Sequence, residues 1–218
     1  MSEEEIIEKT KSFVKEKCQN EDSSHDWWHI QRVYRNGMLI NKEEKANNFV
    51  VAMITLLHDV YDHKFFDGDI EEKLEETLKE LGIYNYMEES DIKNITYSCA
   101  NLGFSSNMNT KIELSIEGKI AQDADRLDGI GAIGIGRTFA YDGGKGKPMY
   151  DPDDVAIVTS EEYKKRGSKT TINHFHDKLL HIKDLINTDS AKKIAEERHK
   201  FLEIFLDEFM KEWNGEKW

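Results

Sequence analysis

The chain has 218 residues, of which 33% are charged, and its formal net charge is −13 at pH 7. This length suffices for one domain with a sizeable core, and we expect a single domain over residues 1–218. The acidic excess argues against a protein that binds the nucleic-acid backbone, because such proteins present a basic surface. A small anionic substrate stays compatible, since a bound cation and a few local basic side chains can reverse the potential inside a pocket.

The cysteine content and the lengths of the apolar runs exclude further classes of protein. Cys18 and Cys99 are the only cysteines, which excludes a disulfide framework and a zinc cluster built on paired cysteines. The N-terminal sequence lacks the pattern of a secretory signal, and the longest apolar run, residues 49–57, is too short to span a bilayer. We therefore expect a cytoplasmic protein that associates with neither a membrane nor a nucleic acid.

Apolar residues at three- and four-residue spacing predict helices along most of the chain. Asn47 is a candidate cap for the third helix, which is apolar on nearly every side and should be central. No alternation is strong enough to predict a strand, so the fold class we expect is all-α. The predicted helices lie near residues 3–18, 27–44, 48–62, 69–81, 88–100, 110–127, 174–186 and 190–213.

Two glycine-containing segments interrupt this pattern. The run 129–136 has small residues at every second or third position, which allows close helix packing or close approach of a ligand to the backbone, and we favour packing. Both prolines fall in residues 141–154, which form a predicted Gly/Pro-containing loop. Because this loop does not separate two compositional regimes, we predict one helical domain with one elaborated loop.

A histidine and an aspartate, His58 and Asp59, directly follow the apolar run 49–57. Both are costly to desolvate unless something binds them, and a divalent metal ion suits imidazole and carboxylate ligands. Further candidate ligands precede and follow the pair, at His29 and Asp125. If the polar ends of three helices converge, these four side chains could bind one ion and leave two positions for water and substrate. Such an ion lowers the pKa of water and polarises a phosphoryl oxygen.

The order His29, then His58-Asp59, then Asp125 resembles the H…HD…D signature of the HD-domain superfamily of metal-dependent phosphohydrolases. Longer motifs resemble a branch of small, single-domain bacterial HD hydrolases, so the resemblance extends over nearly the whole chain. These motifs are HIQRV at 29–33, LHDVYDHKF at 57–65, QDADRLDGIGAIG at 122–134, RTFAY at 137–141, GKGKPMYD at 144–151 and AKKIAEERH at 191–199.

The resemblance implies an HD-type helical bundle and a defined set of metal ligands. Within the sequence DADRLD, the superfamily pattern Ala-Asp-Arg-Leu places the last ligand at Asp125. Asp123 and Asp128 would then orient the ligands or cap the helix. By this resemblance the metal ligands are His29, His58, Asp59 and Asp125.

Asp62 is the candidate catalytic residue. It follows His58 by one helical turn and would face the same pocket, where its carboxylate could orient or deprotonate a water molecule. In phosphohydrolase members of the superfamily this position often carries a catalytic carboxylate. Aspartate is shorter than the glutamate of several relatives, so we favour positioning of the water over direct proton abstraction.

The expected number of bound ions is inferred from the number of histidines between Asp59 and Asp125. Two-metal HD proteins supply extra histidines between the HD pair and the last aspartate, whereas here that interval contains only His63 and the next histidine is His174. We therefore expect one ion, and the two-iron oxygenases of the superfamily become a less favoured alternative. Mn²⁺ is the ion we expect first, and Mg²⁺, Fe²⁺, Co²⁺ and Ni²⁺ are alternatives.

Four basic residues are candidate substrate contacts. Lys64 follows the HD segment and could neutralise a phosphate. Arg32, one turn after His29, could do the same or pair with an aspartate. Arg137 and Lys145 offer charge close to bare backbone N–H groups of glycines, which suits a phosphate, although a solvated loop would explain Lys145 almost as well.

The sequence thus predicts a metal-dependent phosphohydrolase whose partner is a small phosphorylated substrate, namely a nucleotide. The reaction we prefer releases pyrophosphate from a (deoxy)nucleoside triphosphate. One alternative is a 5′-nucleotidase-type phosphomonoesterase. Another is a nucleotide-binding or adaptor protein that keeps the site without the chemistry. An oligomer is compatible with the sequence, which does not specify one.

Overall fold

The computed structural model describes residues 1–18, 26–61, 66, 68–102, 112–154 and 167–216. Within these residues the chain forms α-helices and short 3₁₀ helices, and no strand is found there. The all-α expectation is therefore confirmed. None of the described helices combines the length and the hydrophobicity that a bilayer span requires.

The helices of the described residues are numbered in chain order. They are α1 Glu3–Lys17, α2 Trp27–Glu44, α3 Asn48–Leu57, α4 Ile70–Glu80, α5 Glu89–Asn101, α6 Ile116–Asp128, α7 Gly131–Gly144, α8 Thr171–Asp177 and α9 Asp189–Asn214, with 3₁₀ helices at Tyr84–Tyr86 and Leu179–Leu185. The chain divides into two compact units, Met1–Asp125 and Arg126–Trp218. The expectation of a single domain over 1–218 stays a prediction.

Several helix boundaries differ from the predicted ones. Helix α3 ends at Leu57 and turn residues follow it, so the predicted continuation to residue 62 is wrong. Helix α7 is not among the predicted helices, and it continues to Gly144, so the Gly/Pro loop begins at Lys145. The helix predicted over 174–186 is instead α8 followed by a 3₁₀ segment. Glycine-rich α7 forms despite its low helix propensity because tertiary packing overrides propensity.

The small residues at 129–136 serve packing in the second unit. A methyl group added at Gly134 would lie 2.3 Å from the carbonyl oxygen of Gly129, so only glycine permits this approach. Gly131 has a φ of 73°, in the left-handed region that favours glycine, and a methyl group there would lie 3.0 Å from Cγ of Arg198. The predicted packing role of this run is therefore confirmed.

Helix α3 is the centre of the first unit. All nine residues from Phe49 to Leu57 are buried. Helices α1, α2 and α5 pack against α3, and α4 packs against α5. A helix that is apolar on all sides is stable only when neighbours cover it on all sides, so the predicted central position of α3 is confirmed.

Asn47 caps α3, as the sequence predicts. Its side-chain oxygen accepts hydrogen bonds from the backbone N–H groups of Phe49 at 3.0 Å and Val50 at 3.3 Å. We expect Asn47→Ala to lower the free energy of unfolding by about 1 kcal/mol, because both donors lose their acceptor at the start of a buried helix. Thermal or denaturant unfolding measures this change. Asn47→Ser keeps an acceptor and should retain most of the stability, and equal losses in the two variants would contradict the capping role.

The second unit is organised by aromatic rings. Helix α9 packs against α7 and the 3₁₀ segment Leu179–Leu185, and α7 packs against α8. Phe175 is fully buried, and its ring lies 5.6 Å from that of Phe205 in a stacked arrangement and 6.0 Å from that of Phe139. Along α9 the contacts continue from Phe205 to Phe209 and from Phe209 to Trp213. These rings give the second unit a core of its own.

Candidate metal centre

The four predicted ligands come from three separate helical segments of the first unit. His29 lies in the first turn of α2, where its backbone N–H donates to the carboxylate of the capping residue Asp26 at 2.8 Å. His58 and Asp59 follow the C-terminal end of α3, and Asp125 lies near the end of α6. The structure therefore places each ligand close to a helix end, as the sequence predicts.

These side chains converge. Nε2 of His29 lies 3.3 Å from Oδ2 of Asp59 and 3.5 Å from Oδ1 of Asp125. Nε2 of His58 lies 3.3 Å from the same Asp59 oxygen and 3.9 Å from the same Asp125 oxygen. One ligand atom from each of His29, His58 and Asp125 lies within 4.8 Å of the others, and this is the one such potential metal-binding group among the described residues. The donor atoms are therefore close enough together to bind a common ion.

The orientation of His58 fits a metal ligand. Its Nδ1–H donates to the backbone carbonyl of Thr55 at 3.0 Å, which leaves the lone pair of Nε2 directed into the cluster in the neutral ring. Nε2 is buried and makes no hydrogen bond with any described residue. A buried polar atom without a hydrogen bond is costly, and a cation at this position would remove that cost. The residues present therefore fit a divalent metal ion.

The charges around His58 favour a cation as well. Burial lowers the pKa of His58, but the nearby carboxylates of Asp59 and Asp125 and the bond to Thr55 outweigh burial and raise the pKa to about 9. Because imidazole binds a metal ion only in its neutral form, metal binding competes with protonation of His58, and the metal affinity should increase with rising pH.

The centre is closed on its histidine side and open on its aspartate side. The side chains of His29 and His58 are only 2% and 3% exposed, whereas those of Asp59 and Asp125 are 19% and 42% exposed. Asp125 is thus the most exposed of the four side chains.

Four of the other predicted site residues have roles that the described structure does not test. The candidate catalytic residue Asp62 and the candidate phosphate contact Lys64 lie outside the described residues. Arg32 is half-buried on α2, one turn after His29, and Asp123 is fully buried on α6. The roles expected for these residues stay predictions.

Two predicted substrate contacts have partners within the second unit. Arg137 donates from Nη1 to the carboxylate of Asp128 at 2.8 Å, so one predicted phosphate contact is paired with one predicted orienting residue. Lys145 directly follows α7, and its ammonium contacts the hydroxyl of Tyr141 and lies 4.0 Å above the centre of the Tyr141 ring. A phosphate would have to compete with these contacts.

Thr55 contacts a predicted ligand and is not among the site residues predicted from the sequence. Its carbonyl orients His58, and its hydroxyl donates to the carbonyls of Val51 and Ala52 one turn earlier. Because a backbone carbonyl accepts the bond from His58, the residue type at position 55 carries no sequence signal for this contact.

Similar proteins are known, although no protein-family model matches the chain. The chain is 34% identical to the Bacillus subtilis protein YpgQ over 216 residues, which cover 99% of this chain and 97% of YpgQ. A crystal structure of an HD-superfamily hydrolase from Bacillus thuringiensis is 42% identical and has a TM-score of 0.78, with coverage of 98% of this chain and 99% of that one. A crystal structure of YpgQ in complex with ADP is 31% identical and has a TM-score of 0.76, with 97% of each chain covered.

With identities above 30% over almost the whole length and the same helical fold, the chain belongs to the HD superfamily of hydrolases. The family resemblance seen in the sequence is thereby confirmed. The expected enzyme class, a metal-dependent phosphohydrolase, is confirmed with it.

Proposed function

We propose that this enzyme hydrolyses a nucleotide and that its preferred reaction releases pyrophosphate from a (deoxy)nucleoside triphosphate. The observation that carries the proposal is the convergence of two buried imidazoles and two carboxylates where three helical segments meet. We assign one divalent ion, Mn²⁺ first, to His29, His58, Asp59 and Asp125. When bound, such an ion lowers the pKa of a coordinated water and polarises a phosphoryl oxygen.

The protein contributes orientation and charge. The Thr55 carbonyl holds the His58 ring in the tautomer whose Nε2 can bind a cation. Two carboxylates offset the two charges of the ion, which leaves a centre close to neutral for an anionic substrate to approach. The partial exposure of Asp125 leaves that approach open.

The remaining roles are assigned by position. We propose that Asp62 aligns the attacking water and that Lys64 and Arg32 contact the phosphates. The protein carries a net charge of −13, so local cations are needed to hold a triphosphate against general repulsion. Arg137 and Lys145 are further phosphate contacts in this proposal, and each would exchange an intramolecular partner for the substrate.

The nature of the substrate is supported by a relative. The crystal structure of YpgQ in complex with ADP concerns a protein 31% identical to this chain over almost its full length. A nucleotide is therefore the first substrate class to test. The cytoplasmic location, the single domain and the lack of nucleic-acid or membrane partners stay predictions.

The test is a product assay with purified protein, Mn²⁺ and a panel of nucleoside and deoxynucleoside mono-, di- and triphosphates. Ion chromatography separates pyrophosphate from phosphate. We expect equal amounts of pyrophosphate and nucleoside monophosphate from triphosphates, no phosphate, and loss of turnover with EDTA. Parallel assays with Mg²⁺, Fe²⁺, Co²⁺ and Ni²⁺ rank the ions.

Other products would contradict the proposal in specific ways. Phosphate released from monophosphates would identify a phosphomonoesterase. Thermal stabilisation by nucleotides without any turnover would identify a nucleotide-binding protein.

A further inference from the structure

Gly37, two turns beyond His29 on α2, lies against residues of α3 and α6. A methyl group added at Gly37 would lie 2.8 Å from Cγ2 of Thr55, 3.4 Å from Cγ1 of Val51 and 3.7 Å from Cβ of Ala124. The first distance is shorter than van der Waals contact allows. Glycine at this position therefore permits a separation between α2 and α3 that any other residue would increase.

The neighbouring residue, Asn36, links α2 to α6. Its side-chain Nδ2 donates to the backbone carbonyl of Ala124 at 3.3 Å. Ala124 directly precedes the proposed ligand Asp125, so the bond fixes the backbone next to that ligand relative to α2.

Thr55 connects the same contact to the other histidine. Its methyl group faces Gly37, and its carbonyl accepts the hydrogen bond that orients His58. Displacement of Thr55 would therefore turn the His58 ring. Gly37 thus lies against Thr55, whose carbonyl orients His58. Asn36 bonds Ala124, which directly precedes Asp125.

We infer that Asn36 and Gly37 are positioning residues for the candidate metal centre, because they fix α2 against the two helices that carry the other ligands. This inference rests on the metal-ligand assignment under the proposed function. It does not depend on which substrate is hydrolysed. Neither residue is a proposed ligand, so their effect is on the separation and the direction of the ligands. Groups that orient ligands in this way commonly change metal affinity by about 10–100-fold when they are replaced.

The first experiment measures the affinity for Mn²⁺ alone by isothermal titration calorimetry. Gly37→Ala should weaken binding by about tenfold or more, because the new methyl group pushes Thr55 away. Thr55→Ser removes the opposing methyl group and keeps the hydroxyl. The double variant Gly37→Ala/Thr55→Ser should therefore return to within about threefold of the wild-type affinity. Gly136→Ala is the matched control, since a methyl group there meets no described atom within 4 Å and should leave the affinity unchanged.

The second experiment removes the amide of Asn36 and separates positioning from stability. Asn36→Leu keeps the volume and loses the donor, and it should weaken Mn²⁺ binding by about tenfold. Asn41→Leu is the control on the same helix. The buried Nδ2 of Asn41 donates to the carbonyl of Ala46 at 3.1 Å and to Oδ1 of Asn48 at 2.7 Å, and neither acceptor belongs to a proposed ligand or its neighbour. Asn41→Leu should lower the melting temperature in EDTA while the Mn²⁺ affinity of the folded protein stays at the wild-type value.

The outcomes separate the two proposals. A wild-type protein that binds Mn²⁺ and hydrolyses no nucleotide contradicts the proposed reaction and leaves the positioning test intact. Folded Gly37→Ala and Asn36→Leu proteins with wild-type Mn²⁺ affinity would overturn the inference, as would a double variant that is no better than Gly37→Ala. If Gly37→Ala does not fold, the comparison of Mn²⁺ affinity between Asn36→Leu and Asn41→Leu tests the inference. A wild-type protein that binds none of the five divalent ions would overturn both proposals.

Discussion

Replacing His58 by alanine should abolish tight Mn²⁺ binding and lower kcat/KM by about 10³-fold or more, a loss of ~4 kcal/mol in transition-state stabilisation. The imidazole is 3% exposed, and its Nε2 points into the cluster. Among the described residues, His29 is the one other histidine in this cluster. Alanine therefore removes one of the four proposed donors. Calorimetry with Mn²⁺ and the product assay measure the two effects.

A histidine outside the centre supplies the control for this prediction. His176 is exposed on α8, so His176→Ala should retain the Mn²⁺ affinity and the turnover of the wild type. Full activity of His58→Ala would refute the ligand assignment. Unfolding of the variant in EDTA must be measured alongside, because a folded protein is required for the comparison.

The second large effect concerns stability. Phe175→Ala should lower the free energy of unfolding by about 3–5 kcal/mol, because the ring is fully buried and stacks on Phe205, and its loss leaves a cavity. For a chain of this length the melting temperature should fall by about 10 °C. Phe201→Ala is the control, since Phe201 is 48% exposed on α9 and should change stability by no more than about 0.5 kcal/mol.

The same variant tests the domain prediction. If residues 1–218 unfold as one cooperative domain, hydrogen exchange in Phe175→Ala should become faster in α3 of the first unit as well as in α9 of the second. Unchanged protection of α3 would show that the two compact units unfold separately, and the single-domain prediction would then be wrong.

The sequence is sufficient to predict which residue types form the candidate metal centre. His58 and Asp59 after an apolar run are costly to desolvate, and their order relative to His29 and Asp125 carries the family resemblance. The central position of α3 is predictable from its composition, since residues 49–57 contain one polar side chain and leave no polar face for solvent.

The parts that could not be predicted depend on contacts between distant residues. The bond from Asn36 to Ala124 joins positions 88 residues apart, and no local pattern announces it. The partner of Arg137 is likewise not fixed by its position, because a long cationic side chain can reach either a phosphate or the carboxylate of Asp128. Helix α7 escapes prediction because its glycines lower the local propensity, whereas their close packing becomes evident only in the folded chain.

The spread of the four ligands along the sequence also has a consequence for folding. Only His58 and Asp59 are neighbours in an unfolded chain, which can therefore bind an ion only weakly. On the proposed ligand assignment, a bound ion would act as a reversible cross-link between α2, α6 and the end of α3, and at a hundredfold excess over its Kd it would add about 2.7 kcal/mol to stability. A cross-link that forms only once these helices have packed would slow unfolding far more than it speeds folding.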